Sequence, residues 1–234
     1  MFERKSGILL LAGLGFFALA FLSNGLVPWL MYSKFPEQTV EDTIAKQLAP
    51  EADKIADIDG LKMHRVTVVT QFKLLAELYH QSFSTHFDDG WRKWTEDQWT
   101  QQAADTIRHG RKIYVAEGCW HCHSQFIRPV SNEEKRWGPV SKSWEYQNEL
   151  QRPVMFGTRR VGPDLAREGG CRSNDWHAGH FFRPRDTSPL SVMPDYPWFF
   201  DGDPGAPNRR GFAIIAYMQW LGSWHPMYPD YGQD

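Results

Sequence analysis

The sequence has little cysteine and almost no net charge. It contains only three cysteines among 234 residues, and its acidic and basic residues nearly cancel, leaving a net charge of −2. This balance gives no indication of a nucleic-acid partner, because nucleic-acid-binding domains usually carry a basic excess. One cysteine, Cys171, stands alone in a Gly-Gly-Cys-Arg stretch, where we expect an unpaired thiol without function.

The other two cysteines form the most informative motif of the chain. Cys119 and Cys122 are separated by two residues, and His123 follows directly. This Cys-x-x-Cys-His pattern is the attachment signature of a c-type haem. Two thiols one turn apart can form thioethers with the haem vinyl groups, and the next imidazole can bind the iron. The motif therefore predicts one covalently attached haem c, with His123 as an axial ligand.

Two other uses of a Cys-x-x-Cys pair fit the sequence less well. A structural zinc site needs a second ligand pair at similar spacing, and only Cys171 remains. A thioredoxin-like redox pair needs a surrounding alternation of strands and helices, which the pattern does not show. His64, His80 and His86 lie upstream without clustering, so we interpret them as solvated side chains rather than metal ligands.

The second axial ligand of the iron has to come from elsewhere in the chain. Met193 lies in a proline-bounded loop, which can hold a thioether rigidly at the open face of a haem. The alternatives are Met155 and a histidine of the His177 and His180 pair. Methionine ligation raises the reduction potential relative to two histidines, which suits an electron donor to an oxidase.

The haem also needs hydrogen-bonding partners around it. The stretch Gly162–Leu165 is either an ordinary loop or a stiff turn in which the carbonyl of Pro163 holds the far nitrogen of an axial histidine. Buried propionates need donors, and Arg128 is a candidate. Further candidates, each of which can equally be an ordinary surface residue, are Arg159, Arg160, Trp137 and Tyr146.

A long apolar segment runs from Gly7 to Tyr32. It is long enough to cross a bilayer core of about 30 Å. Arg4 and Lys5 precede it, which predicts a cytoplasmic N-terminus, a single crossing of the inner membrane and a periplasmic location for the rest of the chain. Ala18-Leu19-Ala20 resembles the cleavage site of a signal peptide, but the apolar run continues well past it.

Hydrophobic periodicity predicts a mainly α chain in three parts. These are a transmembrane anchor, a helical spacer that can dock on a partner subunit, and a compact helical domain, at residues 1–35, 36–98 and 99–234. Helices are expected in the spacer at Glu37–Leu48 and Leu61–Tyr79.

Two further helices are expected in the third part, at 99–116 and 212–221. The second has Asn208 as an N-cap and Gly222 as a stop. A glycine inside a helix usually permits the close approach of another helix, so we predict that Tyr217 packs against Gly110.

Several motifs occur together in an order that resembles one known family. The stretches Gly110–Pro129, Gly162–Leu165, Asn174–His177 and Met193–Trp198 are similar to the mono-haem cytochrome c subunit of cbb(3)-type cytochrome c oxidases, the FixO/CcoO family. The resemblance covers the anchor and about residues 107–224. It implies a class I cytochrome c domain on one membrane helix, with the haem ligated by His123 and Met193 and with Pro163 as the backbone acceptor.

The resemblance also implies a function. Members pass electrons, usually from a di-haem cytochrome c subunit, to a haem–copper catalytic subunit that reduces oxygen to water, and are not enzymes on their own. Related nitric oxide reductases carry a similarly anchored subunit, which is the alternative. The segment 36–98 is longer than the corresponding part of most family members, so the subunit that this chain contacts is left open.

Other hypotheses are a peroxidase-like centre with an open iron site, and an assembly subunit whose haem is incidental.

We predict that the ferric protein shows a near-infrared charge-transfer band from sulfur to iron, and that Met193→Ala abolishes it. The reason is that this band requires a thioether on the iron. A wild-type spectrum without the band would contradict the assignment of Met193 and would favour an open iron site.

Overall fold

The computed structural model describes residues 2–33, 39–40, 56–58, 61–63 and 68–225. The chain divides into two units, 1–37 and 38–234. Each is described by itself.

The described part of the first unit is helical from Phe2 to Tyr32. It comprises α1 (Phe2–Phe21), a π-helical turn (Leu22–Leu26) and α2 (Val27–Tyr32). The segment Lys5–Tyr32 is long and apolar enough to cross a membrane, and none of it is buried within the protein. A continuous helix satisfies its own backbone hydrogen bonds, which is what a segment in lipid requires.

The second unit is built mainly of helices. A short antiparallel hairpin pairs β1 (Ala56–Ile58) with β2 (Leu61–Met63). The helices that follow are α3 (Val68–Leu78), α4 (His80–His86), α5 (Glu96–Ala116), α6 (Glu133–Trp137), α7 (Asn174–Phe182), α8 (Pro184–Thr187) and α9 (Arg209–Trp220). The prediction of a mainly α chain with one candidate membrane helix is confirmed.

The centre of this unit is the crossing of α5 and α9. A Cβ atom on Gly110 would lie 2.1 Å from the Ala213 carbonyl oxygen and 2.5 Å from Cβ of Tyr217. Only glycine permits this approach, so the predicted contact between Tyr217 and Gly110 is confirmed. Around it the apolar side chains of α9 are almost completely buried.

Local sequence signals define the ends of these two helices. The Thr95 hydroxyl accepts a hydrogen bond from the backbone of Gln98, whose side chain bonds back to Thr95, so α5 begins with a capping box. The side chain of Asn208 accepts from the first turn of α9, as predicted. Gly222, with φ of +84°, follows the end of α9, as its predicted role as a stop requires.

The predicted spacer contributes side chains to the same core. Phe72 of α3 and Phe83 of α4 are buried, with their ring centroids 5.7 Å apart, and Phe83 also lies 5.3 Å from Phe212 of α9. The expected helix Leu61–Tyr79 is wrong at its start, because Leu61–Met63 forms a strand and the helix begins at Val68. The expected helix Glu37–Leu48 lies almost wholly outside the described residues.

Gly110→Ala is expected to lower the free energy of unfolding by about 3 kcal/mol, because the added methyl group overpacks the crossing of α5 and α9. Gly179→Ala is the matched control within a helix, since a Cβ atom there meets only Cγ2 of Thr187, at 3.7 Å. The control should be neutral or stabilising by up to about 1 kcal/mol. Urea unfolding in detergent measures both, and equal effects would contradict the close crossing.

Candidate haem-binding site

The Cys-x-x-Cys-His motif forms a tight turn directly after α5. Gly118 adopts a left-handed conformation with φ of +71°, which ends the helix. A 3₁₀ turn follows at Cys119–His121, and the Cys119 carbonyl accepts hydrogen bonds from the backbone N–H groups of Cys122 and His123 at 3.1 and 2.9 Å. The turn therefore brings both thiols and the imidazole to the end of one core helix.

The His123 imidazole is held against the Gly162–Leu165 turn. Its Nδ1 lies 3.0 Å from the carbonyl oxygen of Pro163. A Cβ atom on Gly162 would lie only 2.2 Å from Cε1 of His123, so the ring and the turn are in close contact. Because a carbonyl can only accept, Nδ1 carries the proton and Nε2 keeps its lone pair for a metal. Burial lowers the pKa of His123, while the bond to Pro163 opposes that shift.

Hydrogen bonds to backbone carbonyls fix the chain around this imidazole. The Tyr114 hydroxyl of α5 donates to the His123 carbonyl at 2.5 Å. The N–H of Gly162 donates to the Cys122 carbonyl at 3.1 Å. The His121 carbonyl accepts from three successive N–H groups, those of residues 158–160. The motif is thus bonded to α5 on one side and to the segment 158–162 on the other.

The loop that carries Met193 is attached to the same motif. The Tyr196 side chain lies close to the Cys119 thiol, and Trp198 Nε1 donates to Glu117 at 3.3 Å. Met193 itself is partly buried and packs against the hydrophobic core. Tyr196 and Trp198 were not singled out as site residues, although both lie in the Met193–Trp198 stretch.

The electrostatic setting of Cys119 does not favour a reactive thiolate. Burial and the nearby Glu117 raise the pKa of the Cys119 thiol to about 12. Redox dithiols and zinc sites use thiolates, which need a depressed pKa. No cluster of three or more metal-binding side chains occurs among the described residues.

The alternative ligands, Met155, His177 and His180, have protein partners of their own. Met155 is 8% exposed in the core, and its carbonyl accepts from Gln125 N–H at 2.7 Å. Burial, and to a smaller extent the nearby His123, lower the pKa of His180 to about 4. Its Nδ1 lies 2.6 Å from Oγ1 of Thr187. His177 is 3% exposed, with Nε2 3.7 Å from a carboxylate oxygen of Glu168.

Four of the five expected propionate donors contact protein partners. Arg128 Nε donates to Glu133 at 2.6 Å, and Arg160 donates to the same carboxylate at 2.8 and 2.9 Å. The Tyr146 hydroxyl donates to the Gln125 carbonyl at 2.9 Å, and the Trp137 ring lies 5.4 Å below the Arg160 guanidinium. Arg128 is half exposed, so it stays a predicted propionate donor.

Sequence reasoning missed the buried carboxylates of this region. Glu133 is 2% exposed and Asp164 has a fully buried side chain. Nothing in the local pattern marks Glu133, which begins a short polar helix. Asp164 stands in the Gly162–Leu165 turn, from which only the Pro163 carbonyl was used.

The residues fit a covalently held haem. Both cysteines are free, and they flank one turn. The Nδ1–H of the imidazole that follows donates to the Pro163 carbonyl, so its Nε2 is available for a metal. This donor set, two thiols beside an oriented neutral imidazole, is the one that c-type attachment uses.

A comparison with family models agrees with this geometry. Residues 98–208 match the model described as cytochrome c oxidase, mono-heme subunit/FixO. This match, called the FixO segment below, covers just under half of the chain. The resemblance to the FixO/CcoO family is confirmed. The family implies one haem in a subunit of a haem–copper oxidase complex. No curated protein matched the chain significantly.

The FixO segment includes every predicted site residue. It begins near the start of α5, includes the motif and the Gly162–Leu165 turn, and ends just before α9. The mainly helical fold agrees with the class I cytochrome c domain that the sequence predicts for this family.

His177→Phe is expected to make the chain less sensitive to acid. Burial lowers the pKa of His177 from 6.5 to about 3. Below pH 6.5, His177 is protonated in the unfolded chain, whereas in the folded chain it stays neutral down to about pH 3. Because the unfolded chain binds one proton more in this range, acid favours unfolding.

Urea unfolding at pH 7 and pH 4.5 measures this effect. The variant should lose about 2 kcal/mol less stability than the wild type between the two values. His80→Phe, at an exposed position, serves as the control and should follow the wild type. An unchanged acid dependence in His177→Phe would refute the interpretation.

Proposed function

We propose that this chain is a membrane-anchored mono-haem c-type cytochrome that relays single electrons to the haem–copper subunit of a cbb(3)-type terminal oxidase. The hydrogen bond between His123 Nδ1 and the Pro163 carbonyl, within the FixO segment, is the observation that carries the proposal. It supports a fixed imidazole whose other nitrogen can serve as an iron ligand.

Four residues would hold the haem. Cys119 and Cys122 would supply the two thioether bonds, His123 the nitrogen ligand and Met193 the sulfur ligand. When bound, the haem supplies reversible one-electron oxidation and reduction. Arg128 is the proposed partner for a propionate, in addition to its contact with Glu133.

The protein contributes the orientation of the ligands. Pro163 holds the imidazole ring and raises its basicity through the Nδ1–H bond. Trp198 holds the stretch after Met193 to Glu117, beside the motif. The buried rings of Tyr114 and Tyr217 have centroids 5.6 Å apart, and the Tyr114 hydroxyl donates to the His123 carbonyl.

We assign no catalytic residue to this chain, because oxygen chemistry belongs to the haem–copper subunit. A di-haem cytochrome c subunit, or another cytochrome, would be the electron donor. The apolar helix with Arg4 and Lys5 before it supports a single pass through the inner membrane, with lipid around it, a cytoplasmic N-terminus and a periplasmic haem domain.

Electron flux through the intact complex tests this function. His123→Ala in the complex purified from its host should lower oxygen uptake from a reduced cytochrome donor at least about tenfold, because the iron loses its nitrogen ligand. His80→Ala, an exposed histidine, is the control and should leave uptake unchanged.

Metal analysis of the same preparations completes the test. Copper in the wild-type and variant complexes verifies that the catalytic subunit is present. Undiminished flux in His123→Ala would contradict the relay and favour an assembly role. A complex without copper that consumes nitric oxide would favour the reductase alternative.

A further inference from the structure

Asp164 is a carboxylate in the Gly162–Leu165 turn, and its side chain is fully buried. Its Oδ2 accepts from the Ser124 hydroxyl at 2.5 Å and from the Phe126 N–H at 3.0 Å. Its Oδ1 accepts from the Ala166 N–H at 2.8 Å. One side chain therefore binds the turn to the segment that follows the Cys-x-x-Cys-His motif.

A cation accompanies this buried carboxylate. Arg160 approaches Oδ2 of Asp164 at 3.2 Å, and the Arg160 side chain is only 12% exposed. Burying charged groups costs free energy even when they are paired, and apolar replacements are often as stable. Stability alone therefore does not explain the Asp164 carboxylate. A requirement to hold the Gly162–Leu165 turn in one position does.

Asp164 directly follows Pro163, whose carbonyl orients the His123 imidazole. Two backbone bonds join the Gly162–Leu165 turn to the chain at Cys122–Ser124: Gly162 N–H donates to the Cys122 carbonyl at 3.1 Å and Leu165 N–H to the Ser124 carbonyl at 2.8 Å. The Pro163 carbonyl lies between these two bonds. Asp164 adds a rigid side-chain connection next to that carbonyl.

We propose that Asp164 is a positioning residue that holds the Pro163 carbonyl against Nδ1 of His123 and thereby sets the orientation and basicity of the iron ligand. This inference rests on the proposed function, since His123 is an iron ligand only when the haem is attached. A looser Nδ1–H bond makes the imidazole a poorer donor to ferric iron, which raises the reduction potential.

Three variants isolate this role. Asp164→Asn keeps the shape but has only one acceptor oxygen, so it cannot accept from Ala166 on one side and from Ser124 and Phe126 on the other at the same time. Ser124→Ala removes a single bond and leaves the carboxylate. Glu145→Gln is the matched control, because Glu145 is 3% exposed and pairs with Arg167 at 2.6 Å.

The measurement is made on the full-length ferric protein in detergent. Proton NMR follows the exchange of the His123 Nδ1–H with deuterium, and a redox titration gives the midpoint potential. In Asp164→Asn we expect exchange about tenfold faster and a higher potential. Ser124→Ala should shift both in the same direction by less, and Glu145→Gln should match the wild type.

The contrary results are equally definite. Exchange in Asp164→Asn within about twofold of the wild type would overturn the proposal. So would an equal acceleration in Glu145→Gln, which would indicate general loosening of the fold. If Asp164→Asn does not fold, Ser124→Ala decides, since a wild-type exchange rate there refutes the proposal. A wild-type chain without haem would overturn the proposed function itself, and this inference with it.

Discussion

The site depends on the hydrogen bond between Nδ1 of His123 and the carbonyl of Pro163. That bond decides which imidazole nitrogen carries the proton and which way the ring faces. It forms only because Gly162 has no side chain, which lets the turn approach the ring. The site is therefore organised by two backbone segments brought together, with few polar side chains directed at the ring.

The core of the second unit places these segments. The motif begins where α5 ends, and α5 is fixed by its close crossing with α9 at Gly110. The Tyr114 hydroxyl connects α5 to the His123 carbonyl, and the Tyr217 hydroxyl connects α9 to Gln125 at 3.0 Å. Both sides of the motif are thus bonded to one packed pair of helices.

Sequence reasoning succeeded where a signal is local. The Asn208 cap and the glycine at the helix crossing each follow from short-range chemistry, and the Gly-Pro turn made Pro163 a candidate acceptor. It failed where residues distant in the chain meet. Asp164 finds Ser124 only after folding, and the packing of Phe72 and Phe83 around α9 has no local signature.

The most direct test of the account is the mass and the absorption spectrum of the denatured full-length chain, purified from its native host. The account predicts a polypeptide heavier by one haem, with the reduced pyridine spectrum of a haem bound through two thioethers. Replacing both Cys119 and Cys122 by alanine should remove the added mass. A colourless wild-type chain with the mass of the bare polypeptide would contradict the account.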